Sequence, residues 1–255
     1  MRPSHLTPAI VLRSWPYGES DKIVTFLTEK YGKITGIAKG AKRSFKRFSN
    51  SLEPFSLVNL HFQDRANSGL AFILASDLQK SFLRLSVSLE KITFASYCVE
   101  ITDGLIGERE ESYLVFEHLK NGLTYLDEQS TSLIHLIRFE LGLLTLAGYR
   151  PSLHDCRRCG RQHRRGESLR WYFSPRDGGI FCQKCSVLRK ETQPLLGSTL
   201  DLMLDLQQEG EGVEHFGGSL SPVAVKEIRS ALTRFIRFHM DREIKSAPFL
   251  YQFSS

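Results

Sequence analysis

The chain has 255 residues, 41% of them hydrophobic and 24% charged, which suits a soluble globular protein with room for two or three small domains. The net charge of +6 is unevenly spread: residues 1–82 carry +6, 83–150 carry −4, 151–190 carry +7 and 191–255 carry −3. Alternating basic and acidic segments point to a polyanion met by particular faces rather than to uniform solubilising charge. The opening MRPSHLTPAIVLRSW has no continuous apolar core of the kind a secretion signal needs. The most apolar run, Leu133–Ala147, is interrupted by His135, Arg138 and Glu140, so a membrane span is excluded and a cytoplasmic location expected.

The first 80 residues read as strands. Ala9–Trp15 is followed by a turn at Pro16–Tyr17–Gly18, then come Lys22–Glu29, Lys33–Lys39, Phe55–Gln63 and Leu70–Ser76. Five short strands without a long helical pattern suggest a small barrel, either an OB-fold or an SH3-like one. After the third strand the chain becomes a cationic loop. Lys39, Lys42, Arg43, Lys46 and Arg47 stand there without an acid, with Phe45 and Phe48 among them. Cations that follow a phosphate backbone, interleaved with rings on which bases stack, make a single-strand binding surface. A solvated basic loop anchored by two phenylalanines fits the same residues. Gly36 and Gly40 allow a turn or a close backbone approach.

From Phe82 the period becomes helical, through Leu85, Leu89, Ile92, Ser96 and Val99 to Leu105, and again through Tyr113, Phe116, Leu119 and Leu123. Leu133–Leu146 is apolar almost all round and should be the buried centre of a helical bundle. His135, Arg138, Gly142 and Thr145 line one narrow stripe, and Gly148 and Pro151 end the run. Two more helices are expected near Ser198–Gln208 and Ser221–Arg242, joined by an acidic, glycine-rich connector, Glu209–Gly218.

Between these helices lie two CxxC pairs, Cys156 with Cys159 and Cys182 with Cys185, separated by 22 residues. Two such turns supply four thiolates in a closed tetrahedral set, the pattern of structural zinc, with no position left for a catalytic water. The intervening WYFSPRDGGIF reads as the hairpin that joins the pairs. A thiol-redox role would need only one pair on a thioredoxin-like frame, which is lacking. The fifth cysteine, Cys98, stands among Phe94, Tyr97 and Ile101 as a core residue. There is no GxxxxGK[ST], GxSxG or HExxH, so catalysis is not expected.

Three segments together, LRSWPYGESDKIVTFLTEKYGKITGIAKGAKR, SLEPFSLVNLHF and FELGLLTLAGYRPSLHDCRRCG, resemble the RecO family of DNA repair and recombination proteins, in the right order over most of the chain. The resemblance implies an N-terminal OB-fold, a helical domain and a zinc module. It also implies annealing of complementary strands, binding of single-stranded DNA-binding protein, and loading of RecA together with RecR. Only some members of the family have the four cysteines.

The expected architecture is therefore a multi-domain α+β chain. It comprises an OB-fold barrel at 1–81, a helical domain at 82–150, an inserted four-cysteine zinc module at 151–193, and the rest of the helical domain at 194–255. The expected function is that of a non-enzymatic mediator, cytoplasmic and nucleoid-associated, with single- and double-stranded DNA, RecR and single-stranded DNA-binding protein as partners. For the apolar, acidic C-terminal tail of the last, Arg138 on the Leu133–Leu146 helix is the candidate cation. A zinc-containing RNA-binding OB-fold protein associated with translation would use the same basic surface, and a metal-dependent nuclease is the other rival.

Overall fold

The computed structural model describes residues 3–65, 69–110, 112–208 and 221–250, except the side chain of Phe45. The connector expected at Glu209–Gly218 lies outside them. Five strands, β1 (Ser4–Tyr17), β2 (Asp21–Thr28), β3 (Lys33–Ala38), β4 (Leu57–Gln63) and β5 (Ala71–Lys80), close into a barrel in the order β1-β2-β3-β5-β4. Strands β3 and β5 are its one parallel pair among neighbours that otherwise run antiparallel. This is the OB-fold.

Closure depends on β1, which is twice the length its hydrophobic pattern predicts. Its first half pairs with β4, its second with β2, and the register shifts between Val11 and Arg13, where the strand bends from one neighbour to the other. The parallel contact is short, Gly36 opposite Ala71 and Ile37 opposite Phe72. A Cβ on Gly36 would lie 2.4 Å from Ile73 Cδ1, so glycine is what lets β3 reach β5. The interior is filled by Val11, Val24, Phe26, Ile34, Leu60 and Phe62, among others. Between β3 and β4 a single helical turn, α1 (Phe45–Phe48), places Phe48 in this core at 5% exposure. Four residues are too few to show a helical period, so the turn was not legible in the sequence.

The compact unit that contains the barrel continues to Thr131 and so takes in two helices in contact with each other, α2 (Leu89–Leu105) and α3 (Tyr113–Glu128). Ser88 and Ser112 cap them, accepting bonds from the N–H groups of Lys91 and Val115. The expected long helix from Phe82 is broken: Leu83–Leu85 is a single 3₁₀ turn, preceded by Phe82 in a left-handed conformation. Cys98 is buried in α2.

Asp103 of α2, 3% exposed, is where the helices meet the barrel. Lys33 of β3 donates to its backbone oxygen at 2.6 Å and lies 3.4 Å from its carboxylate, and Arg13 of β1 approaches the carboxylate to 3.2 Å. Beyond α2, Arg109 N–H donates to the Lys33 carbonyl, and Thr35 Oγ1 donates to Glu108 at 3.0 Å.

The second compact unit spans Ser132–Ala247. Helices α4 (Leu133–Leu146), α6 (Gly197–Gln208) and α7 (Pro222–Met240) pack around Leu136, Ile137, Leu144, Leu200, Ile228 and Leu232. Inside this core Glu140 is fully buried and paired with Arg229 of α7. A three-stranded sheet, β6 (Arg170–Ser174), β7 (Gly179–Cys182) and β8 (Gln193–Leu196), runs in the order β7-β6-β8. β8 holds Pro194, which an edge strand tolerates. The short helix α5 (Gln183–Ser186) completes this unit, whereas α8 (Ala247–Leu250) belongs to the first unit from Pro248 on. The dividing line therefore falls after Thr131, whereas the sequence places α2 and α3 in one helical domain with α4.

Replacing Asp103 with alanine leaves the nearly buried Lys33 ammonium without its carboxylate. The expected loss is about 3 kcal/mol of stability, read as a lower urea midpoint. An unchanged midpoint would mean that burial of apolar surface alone holds α2 in place.

Candidate metal centre and nucleic-acid interface

The four cysteines converge. Their sulfur atoms all lie within 4.8 Å of one another, and Sγ of Cys159 and Cys182 are 3.8 Å apart. A zinc ion about 2.3 Å from each of four thiolates requires sulfurs about 3.8 Å apart, so the spacing fits a tetrahedral ion. The first pair is shaped by its own backbone. Gly160 N–H donates to the Cys156 carbonyl, and Cys156 N–H donates to the Arg161 carbonyl. Arg157 N–H donates to Ile180 and so stitches this turn to β7, whose last residue is Cys182. The expected hairpin is β6–β7, with Ser174 opposite Gly179 and Trp171 opposite Cys182. Cys182 then begins α5, which delivers Cys185.

The site is electrostatically prepared for a cation. Burial pushes the Cys156 thiol up, but the N–H groups of Cys159, Cys182 and Arg158 aimed at its sulfur outweigh this and bring it down to about 6. Burial, hydrogen bonds from the other three cysteines and the charge on Cys156 push Cys185 up to about 12. One thiolate is thus held ready at neutral pH, while a second is opposed by burial first and by its neighbours after that, a cost that a divalent ion would offset. Beyond the cluster, His163 bonds Asp201 at 2.7 Å and meets the Trp171 ring edge-on, tying the first cysteine turn to α6.

The basic loop is stapled to the β1–β2 turn. Gly40, at φ +67°, donates its N–H to Asp21 Oδ1 at 2.8 Å, and that bond holds the Asp21 carboxyl below its usual range. Lys42 donates its N–H to Ser20 and its ammonium to Gly18. Arg47 donates to the Lys39 carbonyl at 2.7 Å and to Ser44 Oγ, and its guanidinium covers the Phe48 ring. All five loop cations are exposed. Lys42 and Arg47 also hold the loop's shape through their side chains.

The aromatic part of the sequence reading needs correction. Phe48 is a core residue and offers no stacking face; the tight packing of α1 against β5 puts it inside. The side chain of Phe45 lies outside what the structure describes. The ring that does sit among cations is Phe72 of β5, half-buried, with Lys39 at 5.7 Å and Arg65 at 4.5 Å from its centre. The parallel pairing of β3 with β5 brings it there, and nothing local in the sequence announces that pairing.

Arg138 lies half-buried on α4, close enough to His135 that burial and then its positive charge lower the histidine pKa. Of the apolar residues that flank it on α4, Ile137, Leu141 and Leu144 are in the core, and Ile134 is half-exposed.

An OB barrel that presents a basic loop, followed by a helical region holding a four-cysteine cluster, defines an OB-fold protein with an intrinsic metal-type module. Residues 1–82 match the family Recombination protein O N terminal, and residues 87–248 match Recombination protein O C terminal. Three proteins named DNA repair protein RecO are similar along nearly their whole lengths. That of Anaeromyxobacter sp. (strain K) is 35% identical over 94% of this chain and 93% of its own. That of Myxococcus xanthus is 34% identical over 96% of both, and that of Syntrophus aciditrophicus 32% over 96% and 94%. The chain belongs to the recombination protein O family, a family of DNA repair proteins. No helix among the described residues is long and apolar enough to cross a membrane.

Cys182→Ser leaves three thiols and is expected to lower metal content from one ion per chain towards none, measured by elemental analysis. In the intact chain, metal affinity is expected to rise with pH across the neutral range, because Cys185, pushed up to about 12, must lose its proton to ligate. A pH-independent affinity would place the ion elsewhere.

Proposed function

We propose that this chain is a DNA-binding mediator of recombinational repair. It binds single-stranded DNA, contacts duplex DNA, anneals complementary strands, and with RecR loads RecA onto DNA coated by single-stranded DNA-binding protein. It does so in the cytoplasm, at the nucleoid, by binding rather than by making or breaking covalent bonds. The observation that carries the reading is the stapled basic loop on an OB barrel in a chain similar to RecO proteins from end to end.

Phosphates would meet Lys39, Lys42, Arg43, Lys46 and Arg47, with Phe72 as the stacking ring beside Lys39 and Phe45 a further candidate from the sequence. Cys156, Cys159, Cys182 and Cys185 would hold zinc, whose chemistry here is to cross-link four thiolates and fix the module's fold. Arg138 would take the terminal carboxylate of the partner's tail in a bidentate bond, with Ile134 beside it.

The decisive experiment is strand annealing with and without coating by single-stranded DNA-binding protein. Annealing of coated strands supports the mediator reading. Preference for RNA over DNA of the same sequence would favour the translation-associated alternative, and cleavage of labelled DNA with magnesium would favour a nuclease.

The triple variant Lys39→Ala, Arg43→Ala, Lys46→Ala spares the loop's side-chain bonds from Lys42 and Arg47. It is expected to bind single strands weakly and to lower the salt slope of binding by about 2, at about 0.7 per phosphate. Phe72→Ala should weaken binding in a folded protein, whereas Phe48→Ala should cost about 3–5 kcal/mol of stability. Arg138→Ala should weaken binding of a tail peptide by about 1.5–3 kcal/mol and leave binding to naked single strands unchanged, as titration calorimetry can check.

A further inference from the structure

Immediately after the last cysteine the chain does something costly. Val187 and Leu188 follow α5 on the surface at 82% and 66% exposure, two adjacent aliphatic side chains given to water. Cations flank them in the chain, Lys184 before and Arg189 and Lys190 after, all exposed, with the exposed Glu191 next. Arg189 is fixed from beneath, 3.3 Å from Asp177 and over the Phe181 ring. The base of the turn is fixed by Cys182 and Cys185. The result is an apolar tip flanked by cations, in the most basic segment of the chain, 151–190, with a net charge of +7.

The charge selects a polyanion. The two aliphatics select a polyanion that also offers apolar faces, because a phosphate row alone would leave them in water. Nucleic acid with unpaired bases meets both requirements. Cations beside the tip hold phosphates, while small apolar side chains enter between bases and unstack them.

We propose that Val187 and Leu188 form a wedge that inserts between bases at single-stranded DNA or at a single-strand–duplex junction. This site rests on the DNA-binding reading above but is separate from the barrel loop. By holding bases apart, it would keep their pairing edges open to a complementary strand.

The test uses the full-length, metal-loaded chain and oligonucleotides carrying 2-aminopurine at the first unpaired position of a junction. Wild type is expected to raise the fluorescence, since unstacking relieves its quenching. The double variant Val187→Ser, Leu188→Ser should lose that rise and bind about tenfold more weakly, with an unchanged salt slope because no cation is removed. Metal content equal to wild type shows that the turn is intact. If the double variant loses metal, Leu188→Trp replaces it, and quenching of the new indole by single-stranded DNA is the expected result. Wild-type binding with an identical 2-aminopurine response in the double variant, or an unquenched Leu188→Trp indole, would overturn the wedge while leaving the DNA-binding reading in place. Absence of any DNA binding by wild type would overturn both. Loss of binding to anionic lipid vesicles, with DNA binding unchanged, would reassign the tip to a membrane surface.

Discussion

Asp103 is a carboxylate almost without water, and the first compact unit depends on how it is neutralised. A buried charge is tolerable only when paired and hydrogen-bonded. Lys33 and Arg13 do this from two strands, β3 and β1, that are separated in the barrel by β2. The helix that carries Asp103 is therefore held at two points across the barrel wall. Once α2 is fixed, the segment after it follows: Arg109 donates to Lys33, and Glu108 receives Thr35 on the outer face of β3. That face belongs to the β2–β3 surface that OB-folds commonly offer to oligonucleotides. Glu108 stands on it at this end, and the basic loop begins at the opposite end of β3.

Counting charges along the chain is a coarse guide, and the structure shows why. A cation whose donors are already taken by backbone oxygens works partly as a strut, as Lys42 and Arg47 do. The cysteine module gives a second example. Arg161 pairs with Glu167 and Arg165 with Asp205, and Asp205 lies beyond the segment in which the +7 was counted. Exposed pairs of this kind contribute little to stability, but they reduce the field that a distant anion feels. What remains is a narrower set of cations than the sequence suggests, each on a backbone fixed by a staple or by the cysteine cluster.

The legible parts of the fold were those encoded locally. Alternation in β2 to β4, the helical periods of α3 and α4, and the paired cysteines each lie within one short window and were found where they were read, while the run read from Phe82 holds as helix only from Leu89. The illegible parts were long-range. The first half of β1 carries Pro8 and polar residues and becomes strand only because β4 pairs with it. Phe48 reads as an aromatic among charges, yet the neighbouring turn aims it inward, and Phe72 reaches the cations through a parallel pairing with a strand far back in the chain. Glu140 stands out in an apolar helix, but its partner Arg229 lies on α7 and no spacing rule connects them.

The cysteine cluster adds a constraint of a different kind. Its parts come from a loop, a strand end and a one-turn helix, none of which would hold its shape alone. Hydrogen bonds and His163 bring them together, yet Cys185 resists ionisation, first because burial disfavours its charge, then because the other cysteines bond to it and Cys156 stands beside it as a thiolate. Without an ion, the geometry that collects the sulfurs also sets them against one another. Cys156, Cys159, Cys182 and Cys185 would hold a divalent cation, which would relieve that conflict and tie the second cysteine turn to the first. Exposing two aliphatic side chains on a rigid turn is less prone to collapse than exposing them on a flexible one, because the backbone cannot fold back to bury them. Val187 and Leu188 stand directly after the last sulfur, so a group bound by the four cysteines would also set the backbone on which these two exposed side chains sit.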